Sequence, residues 1–375
     1  MSVRVCQVLH GIVGGGSEQV VLNYCSRMRD IHFDLLFQYE PNPQILERFR
    51  EAGINCIQIP DKVHHPLKHL WMMFKIFHKG NYDIVHSHLD WFMNGYVCFL
   101  AMLAGVKKRI AHHHQAYATS QSCHSGLRAR IAYFVKAILC SIMRIPCKLF
   151  ATHWLACGES AAINGWGRNA VKNGKVTILP NAIDPERFKF SKSARQEIRV
   201  KYGFAEDDFV IGHVGRFFRE KNHKFIIELF SEYSQNHSNC KLLLVGNGPL
   251  QVEIQELAKQ KGLDNKVVFA GLQKDVLGFY CAMDVLLLPS TREAFPMTLV
   301  EAQYNGLHCL VSVAVPRETA ITDKVYPLSI DDTRLWCEKL GSLSKICDRK
   351  HPQIKSERFD IRKCNKMLGS FYQIP

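Results

Sequence analysis

Two carboxylates lie where they could bind a ligand that carries both hydroxyl groups and phosphate. Glu293 follows the uncharged run 285–288, which is typical of a buried parallel strand, and Glu301 lies within residues 298–305, which have helical spacing. Open α/β sheets bind ligands at the carboxyl ends of their strands, and the N–H groups at the start of a helix attract anions. We predict a site for a ligand such as a nucleotide sugar, although either acid alone would equally suit a solvated loop or a helix surface.

Two cations and a glycine-rich loop extend this prediction to a diphosphate. Arg216 and Lys221 lie on the loop after the predicted strand 209–214, where a guanidinium and an ammonium group could hold two phosphates. Each of them, taken alone, is equally consistent with a cation that faces solvent. Gly14-Gly15-Gly16 follows the predicted strand 3–9, and glycine lets backbone N–H groups approach an anion. The loop lacks the G-x-G-x-x-G spacing of a dinucleotide-binding motif.

Two groups of histidines end predicted strands in the first half of the chain. They are His86-Ser87-His88 and His112-His113-His114. Because ligands bind at strand ends, we expect at least one of these imidazoles to contact a ligand. Alternate residues of a strand face opposite ways, so others should point back into the core. No acid or cysteine stands at ligand spacing, which makes a metal site the less favoured interpretation.

The elements that must position these residues alternate between strand and helix patterns. Such alternation predicts a parallel sheet covered by helices on both faces, that is, an α/β fold. The turn cluster 180–184 marks a boundary between two domains, which the length of 375 residues allows. The predicted strands are 3–9, 33–38, 54–59, 83–86, 109–113, 154–157, 176–179, 209–214, 242–245, 267–270 and 285–288. The predicted helices include one that the loop 14–18 opens and that ends at 29, followed by 44–52, 67–79, 92–104, 191–202 and 224–234.

The charge distribution points to an anionic partner for the first half of the chain. The formal net charge is +14, and no acid occurs between Asp90 and Glu159, a stretch that contains eight lysines and arginines. Within it, residues 125–148 combine apolar positions at helical spacing with Arg128, Lys136 and Arg144. Such a basic amphipathic helix is typical of contact with an anionic membrane surface. The alternative is a helix whose apolar stripe lies in the core. No nucleic-acid recognition motif accompanies the charge, so we expect no nucleic acid.

Other features favour a cytoplasmic protein. No window reaches the roughly 18 consecutive apolar residues of a spanning helix, and residues 3–9 are too short for a signal peptide. The fourteen cysteines are scattered without a C-x-x-C pair, which indicates reduced thiols.

Several motifs together resemble the family-four retaining glycosyltransferases, and they span nearly the whole chain. They are GGSE (15–18), LPNAID (179–184), GRFFREKN (215–222), VGNGP (245–249) and E-x7-E (Glu293 to Glu301). The resemblance implies the GT-B fold, in which two Rossmann-like parallel-sheet domains face each other across a cleft. It implies an acceptor domain at 1–180, a donor domain at 181–357, and a helix within 358–375 that crosses back to the first domain. The sequence segments EAQ-NGL and PRETAIT (316–322) resemble the corresponding segments of family members that build capsule or exopolysaccharide.

The resemblance also implies roles for particular residues. Glu293 would contact hydroxyls of the transferred sugar, Glu301 the ribose, and Arg216 and Lys221 the diphosphate, so that no metal is needed. His114 would contact the sugar near its anomeric carbon, with His112 as the fallback. The implied catalytic residues are therefore Glu293, His114, Arg216 and Lys221, and the implied donor-binding residues are Gly15, Gly16, Arg216, Lys221, Glu293, Phe295, Thr298, Leu299 and Glu301.

One departure from the family pattern concerns the sugar. Pro296 follows Phe295 where the family often has glycine, which removes an N–H group that could face the sugar. The identity of the sugar is therefore left open.

These observations predict an enzyme that moves a hexose from a nucleotide-diphosphate sugar, as co-substrate, to a polyprenyl-diphosphate-linked glycan. It would work at the inner face of the cell membrane without a further cofactor. Two alternatives stay open. One is a nucleotide-sugar epimerase of the same fold, which would need general-base carboxylates in the first domain. The other is a non-catalytic protein that binds nucleotide sugars.

Overall fold

The computed structural model describes residues 3–114, 141–293, 295–343, 349 and 352–373. Contacts divide the chain into two compact units. Unit 1 comprises Met1–Ala182 together with Arg358–Pro375, and unit 2 comprises Ile183–Glu357. Residues 125–140 of the predicted amphipathic segment 125–148 lie outside the described residues.

Unit 1 is a seven-stranded parallel sheet with helices between its strands. The strands lie in the order β3-β2-β1-β4-β5-β6-β7, so the chain first builds the sheet outward from β1 and then restarts on the other side at β4. The elements are β1 (Val3–Val8), α1 (Gly16–Cys25), β2 (Ile31–Phe37), α2 (Pro43–Glu51), β3 (Asn55–Gln58), α3 (Pro66–Lys79), β4 (Ile84–Ser87), α4 (Trp91–Leu103), β5 (Lys108–His113), α5 (141–150), β6 (His153–Ala156), α6 (Glu159–Trp166), α7 (Arg168–Lys172) and β7 (Thr177–Ile178).

Unit 2 repeats this architecture with a six-stranded parallel sheet in the order β10-β9-β8-β11-β12-β13. Its elements are α8 (Lys192–Lys201), β8 (Phe209–Val214), α9 (His223–Tyr233), β9 (Cys240–Val245), α10 (Gln251–Gln260), β10 (Val267–Gly271), α11 (Leu277–Ala282), β11 (Val285–Leu288), α12 (Met297–Tyr304), β12 (His308–Ser312), β13 (Val325–Leu328) and α13 (Thr333–Leu343). The four residues of β11 are fully buried, as the uncharged run predicts for a strand covered on both faces.

The last helix of the described chain, α14 (Ile361–Tyr372), belongs to unit 1. It begins at Ile361 because the Asp360 side chain accepts a hydrogen bond from the Arg362 N–H and so caps the first turn. Its buried residues Ile361, Cys364, Leu368 and Tyr372 recur every three to four positions and form one face. The last turn of α14 contacts β1, because the Gln7 side chain donates a hydrogen bond of 2.8 Å to the Tyr372 hydroxyl.

Each sheet reverses its strand order once, between β1 and β4 in unit 1 and between β8 and β11 in unit 2. The loops that leave two such strands diverge, and the crevice between them is where doubly wound sheets bind ligands. The α/β fold with two Rossmann-like parallel sheets is therefore confirmed. The predicted sites fall at the ends of β1, β4, β5, β8 and β11.

Two further findings concern the whole described chain. None of the cysteines in the described ranges is in a disulfide, and most of them are buried. No helix of the described residues is both long and apolar enough to cross a lipid bilayer.

Candidate active site

In unit 2 the loops after β8 and β11 are bonded directly to each other. The Thr291 N–H donates to the Glu220 carbonyl oxygen at 2.9 Å, and the Asn222 side chain donates to the Pro289 carbonyl at 3.3 Å. An ion pair of 3.1 Å joins Arg292 to the Glu220 carboxylate. These bonds hold the two loops together at the point where the strand order reverses.

The two loops bring together Lys221 and Glu293, which are 72 positions apart in the sequence. The Lys221 Nζ atom lies 2.5 Å from Glu293 Oε1, and the Ser290 hydroxyl donates to the same oxygen at 2.8 Å. The two side chains are only 24% and 9% exposed, so solvent screens their attraction weakly. Glu293 Oε2 bonds to no residue in the described chain. The carboxylate is thus fixed through one oxygen and leaves the other for a ligand.

Arg216 lies on the same loop as Lys221. Its guanidinium carbon is 4.4 Å from the centroid of the Phe218 ring, a cation–π distance that restrains the side chain. Arg216 forms no ion pair with a carboxylate of the described residues. It is therefore a positioned cation without a carboxylate partner in the described ranges, as suits a phosphate-binding residue.

A third loop, after β9, supports the backbone of the Arg216 loop. The Phe217 N–H donates to the Asn247 carbonyl at 2.8 Å. Gly246 has a φ of +133°, and a Cβ atom built on it would lie 2.1 Å from the Gly215 carbonyl oxygen. Only glycine therefore permits this close approach of the two loops. The VGNGP motif therefore positions the cation loop through its backbone.

Glu301 lies one turn into α12 and is buried. Its Oε2 atom accepts a hydrogen bond of 2.7 Å from the Tyr280 hydroxyl. Burial raises the pKa of Glu301 above its ordinary value, and the bond from Tyr280 partly offsets that rise. Its second oxygen has no partner among the described side chains and is the one that a ribose hydroxyl could reach.

At the start of α12 the structure distinguishes between the predicted donors. The Leu299 N–H donates to the Pro296 carbonyl at 3.1 Å, so it is already engaged within its own turn. The Thr298 hydroxyl oxygen is buried and bonds to no described group. A buried hydroxyl without a partner is costly, which makes Thr298 the stronger candidate for a ligand contact. Phe295, the residue before Pro296, is buried.

In unit 1 the glycine-rich loop is held by an acid of its own motif. Glu18 Oε2 accepts hydrogen bonds from the N–H groups of Val13 at 2.8 Å and Gly14 at 2.6 Å. The N–H groups of Gly15 and Gly16 have no partner in the described structure. No atom lies within 4 Å of the place where a side chain of Gly16 would begin. These two amides are the ones that the loop leaves for an anion.

The histidines at the ends of β4 and β5 lie on opposite sides of the sheet, as the alternation of side chains along a strand predicts. His113 packs against Trp166 with ring centroids 5.0 Å apart, on one side of the sheet. On the other side, His112 and His114 have centroids 4.1 Å apart, and His114 Nε2 lies 2.9 Å from His88 Nδ1. His112 is fully buried, whereas His114 is partly exposed. The greater accessibility of His114 favours it over His112 as the residue that contacts the sugar. Burial lowers the pKa of His114 to about 4.

His86, His88 and His112 form a cluster that could be considered as a metal site. One ring nitrogen from each lies within 4.8 Å of the others. The rings of His86 and His88, however, are stacked at 4.1 Å with planes 29° apart, so their lone pairs lie side by side rather than pointing at one atom. Both nitrogens of His88 are already in hydrogen bonds. This geometry fits a hydrogen-bonded stack better than a tetrahedral metal site.

Sequence reasoning missed the residues that hold the predicted ones in place. Ser290 fixes Glu293, Tyr280 fixes Glu301, and Gln7 and Tyr372 bond to the histidines. Ser290 lies just beyond the end of β11 and could have been proposed as a site residue from that position. The other three carry no spacing signal, because their partners come from distant parts of the chain.

Comparison with known proteins gives matches over both units. The family model described as Glycosyltransferase Family 4 matches residues 14–187, and the one described as Glycosyl transferases group 1 matches residues 194–338. EpsF of Bacillus subtilis (strain 168), which is named as a glycosyltransferase, is 33% identical over 331 residues, which are 86% of this chain and 80% of EpsF. The capsular polysaccharide biosynthesis glycosyltransferase CapH of Staphylococcus aureus is 22% identical over 99% of this chain and 98% of its own length.

Among solved structures, Alr3699/HepE of Anabaena, in complex with UDP and glucose, superposes with a TM-score of 0.79. The match covers 98% of each chain at 18% identity. This likeness assigns the fold of the chain as GT-B.

Proposed function

Because the chain belongs to glycosyltransferase family 4, we propose that it transfers a hexose from a nucleotide-diphosphate sugar to a growing glycan in cell-surface polysaccharide synthesis. The observation that carries the proposal is the Lys221–Glu293 pair at the strand reversal of unit 2, with the uncompensated Arg216 on the same loop. The similarity to CapH, a capsular polysaccharide biosynthesis glycosyltransferase, supports a polysaccharide as the product. The UDP complex of HepE supports a nucleotide-diphosphate sugar as the donor.

Each polar group of the unit 2 site then has a role in binding the donor. Arg216 and Lys221 hold the diphosphate and stabilise the negative charge that it gains as it leaves. Glu293 uses its second oxygen to accept a hydrogen bond from a hydroxyl of the sugar, and Glu301 does the same for the ribose. The Thr298 hydroxyl adds a donor.

We further propose that the reaction retains the anomeric configuration and needs no metal. Two cations replace the charge that a metal ion would supply. The departing phosphate oxygen takes the proton of the acceptor hydroxyl, so that no carboxylate of the protein has to serve as the base. An epimerase of the same fold would need such carboxylates in unit 1, where Glu18 is already engaged by its own loop.

The glycan acceptor is proposed to bind unit 1. A cavity of about 580 Å³ opens beside the ends of β2 and β3, and its lining combines apolar side chains with several polar groups that could orient a ligand. It is lined by Gln38, Tyr39, Glu40, Gln58, Ile59, Pro60, Asp61, Val63, His64 and His65.

A donor screen tests the proposed function. Nucleotide sugars at about 100 times their Kd should stabilise the native state by about 2.7 kcal/mol. We expect a clear rise of the melting temperature with one uridine or guanosine diphosphate sugar, and the free sugar as control should give none. Product analysis with that donor should then show transfer to a polyprenyl-diphosphate glycan. Conversion of the donor sugar into its epimer would instead show that the protein is a nucleotide-sugar epimerase. Binding without any product would show that it only binds nucleotide sugars.

The acceptor is proposed to be lipid-linked, with the protein peripheral on the inner face of the cell membrane. Helix α5 overlaps the end of the amphipathic segment 125–148 and exposes apolar side chains, since Ile142, Ile145 and the neighbouring Leu149 are 54%, 50% and 67% exposed. Their exposure supports contact with a membrane surface over an apolar stripe in the core. Lys148 lies beside these side chains, and the acid-free stretch around it favours an anionic surface.

Vesicle binding tests this surface. Changing Ile145 and Leu149 to serine should weaken binding to phosphatidylglycerol vesicles by about tenfold, because each apolar side chain loses part of the roughly 1.5–3 kcal/mol that full burial provides. The matched control is Val252→Ser, an equally exposed apolar residue on α10 of unit 2. Sedimentation of both variants equal to that of the wild type would refute the α5 surface.

A further inference from the structure

Three helices of unit 1, α3, α4 and α5, pack side by side on the same side of the sheet. His69 Nε2 of α3 lies 3.1 Å from the Tyr96 hydroxyl oxygen of α4. The rings of Phe99 in α4 and Phe150 in α5 have centroids 4.8 Å apart. Because helices in contact lie roughly 8–10 Å apart, the axes of α3 and α5 are within about 20 Å of each other. The outer sides of the three helices therefore form one continuous surface, which we call the three-helix face.

The outer side of α3 is apolar, as its inner side is. Met73 and Phe77 are buried in the core, whereas Leu67 and Trp71 are 82% and 58% exposed. Helix α4 contains no charged residue at all, and its Leu103 is exposed. A helix that is apolar on both sides is typical of one that is covered on both sides. The described residues leave the three-helix face open, so we expect a partner to cover it.

In the described part of unit 2 the exposed large apolar side chains are scattered instead. Val200, Val252, Val313 and Leu335 lie on α8, on α10, after β12 and on α13. Single apolar residues on a surface are ordinary, whereas a contiguous apolar patch marks an interaction site. The three-helix face is such a patch.

The charge of the face identifies the class of partner. None of the three helices contains an aspartate or glutamate, and α3 exposes Lys68, Lys75 and Lys79. The Lys75 Nζ atom lies 4.6 Å from the centroid of the Trp71 ring, a cation–π distance that restrains the indole at the surface. A second copy of the chain suits this face poorly, because a two-fold interface would bring the lysines of one copy against those of the other. An anionic bilayer offers an apolar environment to Leu67 and Trp71 and phosphate groups to the lysines.

We propose that the whole three-helix face binds an anionic lipid bilayer and that Leu67 and Trp71 of α3 are its principal anchors. The exposed side chains of α5 then contact the same bilayer, because the face is continuous. Val63, His64 and His65 line the cavity of unit 1 and directly precede α3, and Val63 is 68% exposed. The bound face would hold this cavity near the lipid headgroups, where a lipid-linked glycan can reach it. This placement of the cavity rests on the proposed function, whereas the contact with the bilayer does not.

Sedimentation with phosphatidylglycerol vesicles tests the two anchors. The double variant Leu67→Ser/Trp71→Ser should bind the vesicles roughly 10-fold to 100-fold more weakly than the wild type, because two large apolar side chains no longer enter the bilayer. The matched control is Val200→Ser/Val252→Ser, which replaces two exposed apolar residues of unit 2 and should bind as the wild type does. Wild-type binding to zwitterionic phosphatidylcholine vesicles should be weaker, since the lysines lose their anionic partners.

Tryptophan fluorescence reports the position of Trp71 separately from the affinity. With saturating phosphatidylglycerol vesicles, the wild-type emission should shift to shorter wavelength, because the indole leaves water for the bilayer interface. Trp166 and Trp336 are fully buried and should not contribute to the shift. Trp71→Phe keeps an aromatic anchor, so it should retain most of the binding and lose the shift.

The proposal is overturned if Leu67→Ser/Trp71→Ser sediments with the vesicles as the wild type does, or if the emission shift persists in Trp71→Phe. A wild-type dimer that this double variant converts to a monomer without lipid would also overturn it, because a second copy would then cover the face.

The same double variant tests the placement of the cavity. Transfer to a lipid-linked acceptor held in vesicles should fall about as much as binding does, while the thermal shift with the donor stays that of the wild type. Unchanged transfer despite lost binding would contradict the placement of the cavity. Absence of transfer by the wild type with every donor would count against the proposed function, and the vesicle measurements would still decide the role of the face.

Discussion

The Lys221→Met variant is expected to lose about 100-fold to 1,000-fold in kcat, because an ammonium group aimed at a charge that develops in the transition state contributes this much. Methionine keeps the length and the apolar part of the side chain and removes only the charge. The measurement is steady-state transfer with the donor identified by the screen. Lys224→Met is the matched control, since Lys224 is an exposed lysine three positions later on α9 and pairs with the exposed Glu228.

Stability measurements separate this catalytic role from a structural one. Lys221→Met leaves the nearly buried Glu293 carboxylate with Ser290 as its remaining partner, which should lower the free energy of unfolding by about 1–3 kcal/mol. Adding Glu293→Gln removes the unpaired charge and should restore much of that stability. It should not restore kcat, because the contact of Glu293 with the sugar is lost too. Recovery of activity in the double variant would show that the pair only supports the fold.

Local pattern was sufficient to predict β1 to β11, but it missed β12 and β13 and did not predict the order of the strands. The strands 209–214 and 285–288 have the predicted bounds, because short uncharged runs between turn signals have few other interpretations. Helix α1 was expected to reach residue 29 but ends at Cys25, since the Arg27 and Met28 N–H groups bond to the Tyr24 and Cys25 carbonyls in turns. Which strands become neighbours depends on packing across the sheet, and no local signal carries that information.

The same limit applies to the candidate site. Arg216, Lys221, Glu293 and Glu301 could be proposed from sequence because each follows or begins a recognisable element. Their partners could not, since the Lys221–Glu293 contact exists only because β8 and β11 are adjacent. The predicted donor role of the Leu299 N–H also depended on a detail of backbone geometry. It bonds to the Pro296 carbonyl, which only the structure of the turn reveals.

The Arg216→Met variant should lose binding to a nucleoside diphosphate far more than to the corresponding monophosphate. A charge-assisted hydrogen bond contributes about 1.5–3 kcal/mol, which corresponds to roughly 10-fold to 150-fold in Kd. Arg216 has no carboxylate partner in the described chain, so its replacement leaves no protein group unpaired. Arg219→Met, three positions along the same loop, is the control and should bind both nucleotides as the wild type does.

The most direct test is calorimetric titration of uridine diphosphate and uridine monophosphate into the wild type, Arg216→Met and Arg219→Met. Guanosine diphosphate and monophosphate replace them if the donor screen selects a guanosine diphosphate sugar. A selective loss of diphosphate affinity in Arg216→Met is the result expected of a cation that holds the diphosphate. Equal affinities of Arg216→Met and the wild type for the diphosphate would contradict the assignment of the unit 2 loops as the donor site.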